Sequence, residues 1–313
     1  GTPTVGKNTY AQNITTLVKE TMVAEGLCEG MTYSFESPKV FDKLLIPADS
    51  KLRQTVTISN PLGEDFSVMR TVSINGILNS LSTNYNRRNE SAGIFEVARV
   101  YLPKAVPVTE LPDEIPTLTV GMYGKMDFYD IKGVVEHLMI VLGIGDRAEY
   151  TVETELSWMH PGRTASVIID GVNVGYLGEL HPTVAKNYNI GTKVYLAVLN
   201  MEELIKASNM VNVYKPLPKF PAITRDIAML VKEDVTVKQI ADEIRKNGGE
   251  YLEEVKLFDV YQGEQIERGY KSVAYSISFR SAERTLADAD VADSMQAILD
   301  GLAKELGAQL RDK

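Results

Sequence analysis

A single cysteine, Cys28, in 313 residues excludes an intrachain disulfide and any cysteine-built zinc cluster. Histidine is nearly as scarce. His137, His160 and His181 are the whole complement, and their spacing matches no metal-ligand pattern. His160 and His181 each precede a proline and read as turn residues. No apolar run approaches the length of a membrane span, and the most apolar stretch, residues 134–144, is interrupted by Glu136 and His137. No signal-peptide pattern opens the chain, so the expectation is a cytoplasmic protein without a membrane partner. Positive charge is also short. The formal net charge is −9, so any RNA contact must be local or shared with a partner. No glycine-rich phosphate loop, nucleophile elbow or Ser/His/Asp arrangement is present. The chain begins Gly1-Thr2-Pro3 without a start methionine, which points to an excised fragment.

The chain is long enough for two cored domains. Its 44% hydrophobic and 24% charged residues are ordinary for a globular protein. In the first part a helix is expected over residues 8–25, with Ile14, Leu17, Val18 and Met22 on one face and Gly26 as terminator. Strands are expected at 29–35 and 52–59, a helix at 73–84, strands at 93–101 and 118–123, and a helix at 128–142. Three strands follow at 151–156, 165–169 and 174–180, the last two joined by Asp170-Gly171, a strong hairpin signal. Residues 192–199 close an antiparallel sheet with flanking helices. The proline-bearing segment 206–221 reads as a linker.

The last part has the clearer signals, in the order strand, helix, strand, strand, helix, strand. The first strand covers 225–231. Its helix starts at a capping box of Thr236 and Gln239, buries Val237, Ile240, Ala241 and Ile244, and stops at Gly248-Gly249. Strands at 252–261 and 272–280 come next. A helix from near Thr285 buries Val291, Met295, Ile298 and Leu302 and ends at Gly307. A strand over 308–311 completes the unit. The fold class is α+β, divided into 1–207 and 208–313.

Side chains alternate across a strand. Val273, Tyr275, Ile277 and Phe279 form a bulky set that suits a helix-covered core. Ser272, Ala274, Ser276 and Ser278 form a small set for an open face. In the preceding strand Phe258 and Val260 fall opposite Asp259 and Tyr261; in the first, Ile227 and Met229 fall opposite Asp226 and Ala228. Small side chains admit an unstacked base, serine and aspartate read base edges, and tyrosine offers a stacking plane. On pattern alone a solvated sheet face fits better, since antiparallel sheets commonly have one.

Several blocks carry a family resemblance. Lys219-Phe220-Pro221, Arg225-Asp226, Phe258-Asp259-Val260-Tyr261 with Gly263, Lys271-Ser272 and Arg284-Thr285-Leu286 resemble the anticodon-binding domain of bacterial phenylalanyl-tRNA synthetase β subunits, a ferredoxin-like βαββαβ fold. Upstream, Asn60-Pro61-Leu62, Glu64, Met69-Arg70-Thr71, Asn84, Arg87, the 95–101 strand, Asp130-Ile131-Lys132-Gly133 and the 160–165 segment His-Pro-Gly-Arg-Thr-Ala resemble the class II synthetase-like domain of the same subunits. The resemblance reverses the preference for a bland sheet face. It implies that Ala228, Asp259, Ser272 and Ala274 meet the anticodon loop of tRNA for phenylalanine. It also implies a C-terminal fragment that works with a catalytic α subunit in an (αβ)2 heterotetramer. ATP, magnesium and phenylalanine would react on α, with no cofactor on this chain.

A working class II site holds the ATP α-phosphate with an arginine at the end of its motif-2 strand, because fixed guanidinium groups offset the charge that adenylate formation builds. Here Leu102 stands at that place and Lys104 where an acid belongs. The motif-3 counterpart, residues 195–203, has neither glycine nor arginine. The expectation is a catalytic domain relative that has lost its ATP site. Arg70 and Arg99 then read as buried salt-bridge partners, and Glu64 and Asp65 as solvated. The 8–38 segment resembles motif 1, so its apolar helix face is expected at a subunit interface, with packing inside its own domain as the competing reading. Two other classes stay open: a free-standing RNA-binding or scaffold protein reusing both folds, and a lone enzyme with an intact ligase site.

Overall fold

The computed structural model describes residue 1 and residues 5–311. Thr2 and Pro3 of the opening tripeptide, and the last two residues of the expected second domain, lie outside the described residues. Two compact units result, Gly1–Asn212 and Val213–Lys313.

The first unit runs α1 (Tyr10–Ala24), β1 (Cys28–Glu29), β2 (Phe35–Glu36), α2 (Val40–Lys43), β3 (Val68–Met69), α3 (Ile74–Asn86), β4 (Ala92–Leu102), β5 (Asp113–Tyr123) and α4 (Phe128–Val141). It continues with β6 (Ala148–Val152), β7 (Met159–Ile169), β8 (Val172–Leu180), α5 (Pro182–Asn187), β9 (Tyr195–Asn200) and α6 (Met201–Ala207). Seven strands form one sheet in the order β1-β4-β5-β9-β8-β7-β6. All its pairings are antiparallel except the short parallel join of β1 to β4. Helices cover both faces. Ile14, Val18 and Met22 of α1 meet Ile131, Leu138 and the inward residues of β5 and β9 in one core. Ile74, Ile77 and Leu81 of α3 join Val184 of α5, Tyr123 and Leu196 in the other.

Local chemistry explains the element ends. Thr9 and Gln12 form a reciprocal capping box on α1, as Asp127 and Asp130 do on α4. The hairpin between β7 and β8 turns on Asp170 and Gly171, with φ of 49° and 80°, the pair of positive angles that a tight two-residue turn requires.

Several expectations are corrected. The apolar face of α1 packs inside its own unit, because the sheet leaves that core open for it. The most exposed apolar side chains of the same segment lie beyond the helix, at Met31 (96% exposed) and Tyr33 (69%), while Tyr10 and Val23 are exposed on the helix itself. The strand expected over 29–35 splits into β1 and β2, because the chain between them crosses Glu96, whose carboxylate takes the Thr32 amide at 2.6 Å. The strand expected over 52–59 is a 3-10 turn, Lys51–Arg53, followed by a single bridge from Thr57 to Val68. The strand placed at 151–156 begins three residues earlier, at Ala148, and ends at Val152. The segment read as linker starts inside α6, which runs to Ala207 behind an Asn200 cap. His181 caps α5 with Pro182 in its first turn, and His160 lies within β7.

The second unit runs β10 (Ile223–Lys232), α7 (Val237–Asn247), β11 (Leu252–Tyr261), β12 (Tyr270–Phe279), α8 (Asp288–Leu306) and β13 (Gln309–Leu310). The sheet order is β11-β12-β10-β13, antiparallel throughout. Thr236 and Gln239 make the expected capping box. Gly249 and Gly307, at φ of 71° and 62°, take the left-handed turns that end α7 and α8. Val273, Tyr275, Ile277 and Phe279 are buried with Ile240 and Ile244 of α7 and Val291, Ile298 and Leu302 of α8. Val237, expected in that core, is the first residue of α7 and is exposed. Ile277→Ala leaves a cavity between sheet and helices, and should lower stability by roughly 2–5 kcal/mol in urea unfolding followed by circular dichroism.

Candidate nucleic-acid interface

The strand register gathers the four residues singled out from sequence. On β12, Ala274 pairs with Ala228 of β10 on one side and Asp259 of β11 on the other. One pair along the same face, Ser272 lies between Leu230 and Tyr261. Paired residues share a face, so the small residues make a floor. Asp259 and Tyr261, both exposed, rise along one side of it. Asp259 and Ser272 are diagonal neighbours, a spacing of roughly 7–8 Å between such positions in an antiparallel pair.

Two details differ from the sequence reading. Ser272 and Ala274 lie on the face opposite the bulky set, yet they are only 6% and 7% exposed. An interior strand is shaded by both neighbours, and short side chains sit below the tips of longer ones beside them. Phe258 does not alternate with Asp259. A bulge between Leu257 and Asp259 makes Phe258 the extra residue, so Leu257, not Phe258, pairs with Tyr275. Phe258 is exposed as a result. Without that bulge Asp259 would fall on the helix-covered face.

Arg311 was missed. Its amide donates to the Ala228 carbonyl at 2.9 Å, extending β13 by one bond, and its guanidinium Nη1 donates to Ser272 Oγ at 3.1 Å. No local pattern marks it: only the pairing of Leu310 with Met229 of the core set puts the next residue on the small-residue face.

Other blocks in this unit hold the fold. Arg225 pairs with Asp288 at 2.6 Å and Arg284 with Asp290 at 2.6 Å, tying β10 and the loop before α8 to the start of that helix. The Arg284 guanidinium, followed by the Ala287 amide, holds the Asp290 carboxyl down to about 2. Lys271 donates to the Glu233 carbonyl at 2.9 Å. Gly263 has no side chain where the hydroxyl end of Tyr261 lies against it.

In the first unit Arg70 and Arg99 are both committed to ion pairs. Arg70, 3% exposed, faces the buried Glu96 at 3.3 Å and also bonds Thr32 Oγ1 and the Arg99 carbonyl. Arg99 is not buried, against expectation. Near the middle of β4 it points outward and pairs with Glu114 at 2.7 Å. Leu102 ends β4 opposite Asp113, and Lys104 just beyond is drawn to Glu110 and Asp113 at 3.5 and 3.7 Å. Among the described residues no guanidinium stands at the end of β4, so the residues at that place do not fit a hold on the ATP α-phosphate. Among the described residues no cluster of three or more His, Cys, Asp or Glu is placed to hold a metal ion. No helix among them is long and apolar enough to cross a membrane.

Beside this network Glu36 is buried. Asn75 Nδ2 donates to its Oε2 at 3.1 Å, and Tyr188 Oη donates to Asn75 Oδ1 at 2.8 Å. Glu36 Oε1 has no partner. Burial pushes the carboxyl up to about 8, against smaller opposing effects of Asn75 and the Arg70 charge.

Comparison with known proteins matches both units. The family model "Phenylalanyl tRNA synthetase beta chain CLM domain" matches residues 1–201, and "Ferredoxin-fold anticodon binding domain" matches residues 218–311. The chain is 47% identical over 303 residues to the phenylalanine–tRNA ligase beta subunit of Clostridium tetani, covering 97% of this chain and 38% of that protein. It is 44% identical over 300 residues to the beta subunit of Clostridium acetobutylicum, covering 96% and 38%. With that of Geobacter metallireducens the identity is 36% over 316 residues, covering 97% and 39%. The chain therefore spans under two-fifths of the length of these relatives.

The Glu36 carboxyl gives a pH signature. Its folded value of about 8 lies above the unfolded 4.5, so the folded state keeps a proton that the unfolded state releases. Stability should fall as pH rises from about 4.5 through about 8, by a few kcal/mol at most. Glu36→Gln should flatten that slope in urea titrations across the range; parallel curves for both proteins would show that Glu36 is ionised in the fold.

Proposed function

We propose a function on one premise: the chain belongs to the family of phenylalanyl-tRNA synthetase beta chains. It acts as part of the β subunit of phenylalanine–tRNA ligase in the cytoplasm. Its first unit is a non-catalytic support for the catalytic α subunit within an (αβ)2 assembly. Its second unit holds the anticodon region of tRNA-Phe. ATP, magnesium and phenylalanine are handled by α, which matches the committed arginines and Leu102 on this chain.

The observation that carries the tRNA role is the floor of Ala228, Ala274 and Ser272 with Asp259 on its rim. A base laid on that floor meets little steric resistance and offers its edge to a carboxylate, which accepts hydrogen bonds only. Tyr261 adds a ring for stacking. Recognition by one acidic and one hydroxyl group does not need a basic surface, which suits a chain of net charge −9. A free-standing scaffold is not favoured, because relatives matched across nearly the whole chain carry the ligase subunit's name.

The α-subunit contact is assigned to the apolar surface of Met31 and Tyr33. Tyr33 packs its ring edge-on to Phe66 at 5.7 Å, so it is backed on one side and bare on the other. Met31→Asp with Tyr33→Asp should abolish co-purification with α while leaving the circular dichroism of the chain unchanged; undiminished capture by α would rule this surface out. For the tRNA role, Asp259→Ala should weaken tRNA-Phe binding in the assembled enzyme by roughly 1–3 kcal/mol, with loss of discrimination against anticodon-swapped tRNA. Unchanged discrimination would return the face to an ordinary solvated sheet.

A further inference from the structure

Resting on that reading of the sheet face, we propose that Arg311 is a positioning residue that biases the Ser272 hydroxyl toward donating its hydrogen bond, so that Ser272 and Asp259 together select a guanine edge.

A serine hydroxyl is ambiguous, since it donates one hydrogen bond and accepts others. On an unconstrained face Ser272 reads a donor or an acceptor equally well and discriminates little. Arg311 tips the balance toward donation, because it fills one of the two lone pairs and leaves the proton free. A guanidinium only donates, and its Nη1 lies 3.1 Å from Ser272 Oγ, so one oxygen lone pair of Ser272 is occupied. The hydroxyl has no other hydrogen bond among the described residues, which leaves its proton to be given to a ligand. Arg311 is held for this by its own backbone: its amide bond to the Ala228 carbonyl fixes its place beside the floor.

The face then presents a donor at Ser272 and a pure acceptor at Asp259, diagonal to each other across β11 and β12. The Watson–Crick edge of guanine offers the complement: the O6 acceptor, then the N1–H and N2–H donors. Adenine offers a donor at N6 and an acceptor at N1, so its N1 lone pair would face the carboxylate. A site built to pair with polar groups rejects a base that leaves them unpaired. The Arg311 charge beside the hydroxyl also strengthens its donation, since hydrogen bonds in a chain polarise one another.

The test uses the full chain and tRNA-Phe transcripts with either guanine or 2-aminopurine at the guanine of the anticodon. The analogue keeps the N2 amine but lacks both O6 and the N1 proton, so the part lost through Asp259 is read from Asp259→Ala and the part lost through Ser272 from Ser272→Ala. Arg311→Met keeps the aliphatic stem and the backbone bond, and should cut the preference for guanine roughly 3–10-fold, the scale of one neutral hydrogen bond. Arg311→Gln, shorter but still polar, should lose the same selectivity. Ser272→Ala should match both, and the Arg311→Met/Ser272→Ala pair should lose nothing more, because Arg311 acts through Ser272. Wild-type selectivity in both Arg311 variants overturns the proposal. So do losses that multiply in the double variant. An equal loss for both bases with a salt dependence shallower by about one also overturns it, since that marks a phosphate contact. Asp259→Ala separates the two ideas. If it still abolishes anticodon discrimination while the Arg311 variants behave as wild type, only the Arg311 role falls; if it too has no effect, the reading of the face falls as well.

Discussion

The two-residue period of β12 is the constraint on which the second unit depends. One set of its side chains is bulky and closes a core with α7 and α8. The other set is small and forms a floor on the far side. Both come from a single run, Tyr270–Phe279, so the surface that meets a ligand and the core that stabilises the unit cannot be altered independently by insertion or deletion. A one-residue slip would put serines against the helices and aromatic rings on the floor. The stability of the core therefore also fixes the register of the surface.

In the first unit a buried ion pair has a comparable part. Arg70 and Glu96 sit 3.3 Å apart with Thr32 between them in the same hydrogen-bond network. Two charges out of water are tolerable only when their remaining donors and acceptors are filled, and here the Arg99 carbonyl and the Thr32 amide fill them. The network joins β4 to the segment between β1 and β2 and to the end of β3. Charged groups that suit nucleotide chemistry are thus spent on holding neighbouring segments together.

Much of the fold was legible because local signals agreed. Thr236 with Gln239 and Gly248-Gly249 bracket α7; Asp170-Gly171 marks the hairpin; the alternation of β12 declares its two faces. What was not legible depended on partners distant in sequence. Short helices such as α5 carry too few residues for a periodic pattern, although the His181 cap and Pro182 were there to be read. Strict alternation gives Phe258 a face, and the bulge between Leu257 and Asp259 breaks that alternation. The candidate floor was legible as a set of residue types, but the low exposure of Ser272 and Ala274 comes from the strands on either side. Arg311 contacts a residue 39 positions away, a pairing that no local pattern encodes.

The bulged edge strand has a consequence for solubility. β11 lies at the rim of its sheet and exposes Leu257, Phe258, Val260 and Tyr261. A straight, apolar rim with unpaired backbone groups is a template on which another chain can add as a strand. Here the register breaks twice, between Leu252 and Glu254 and between Leu257 and Asp259, and Glu254, Lys256 and Asp259 place charges among the apolar residues. A second sheet approaching this rim meets a crooked ladder and buried charge. The irregularity that turns Asp259 toward the floor also guards the protein against polymerising along its own edge.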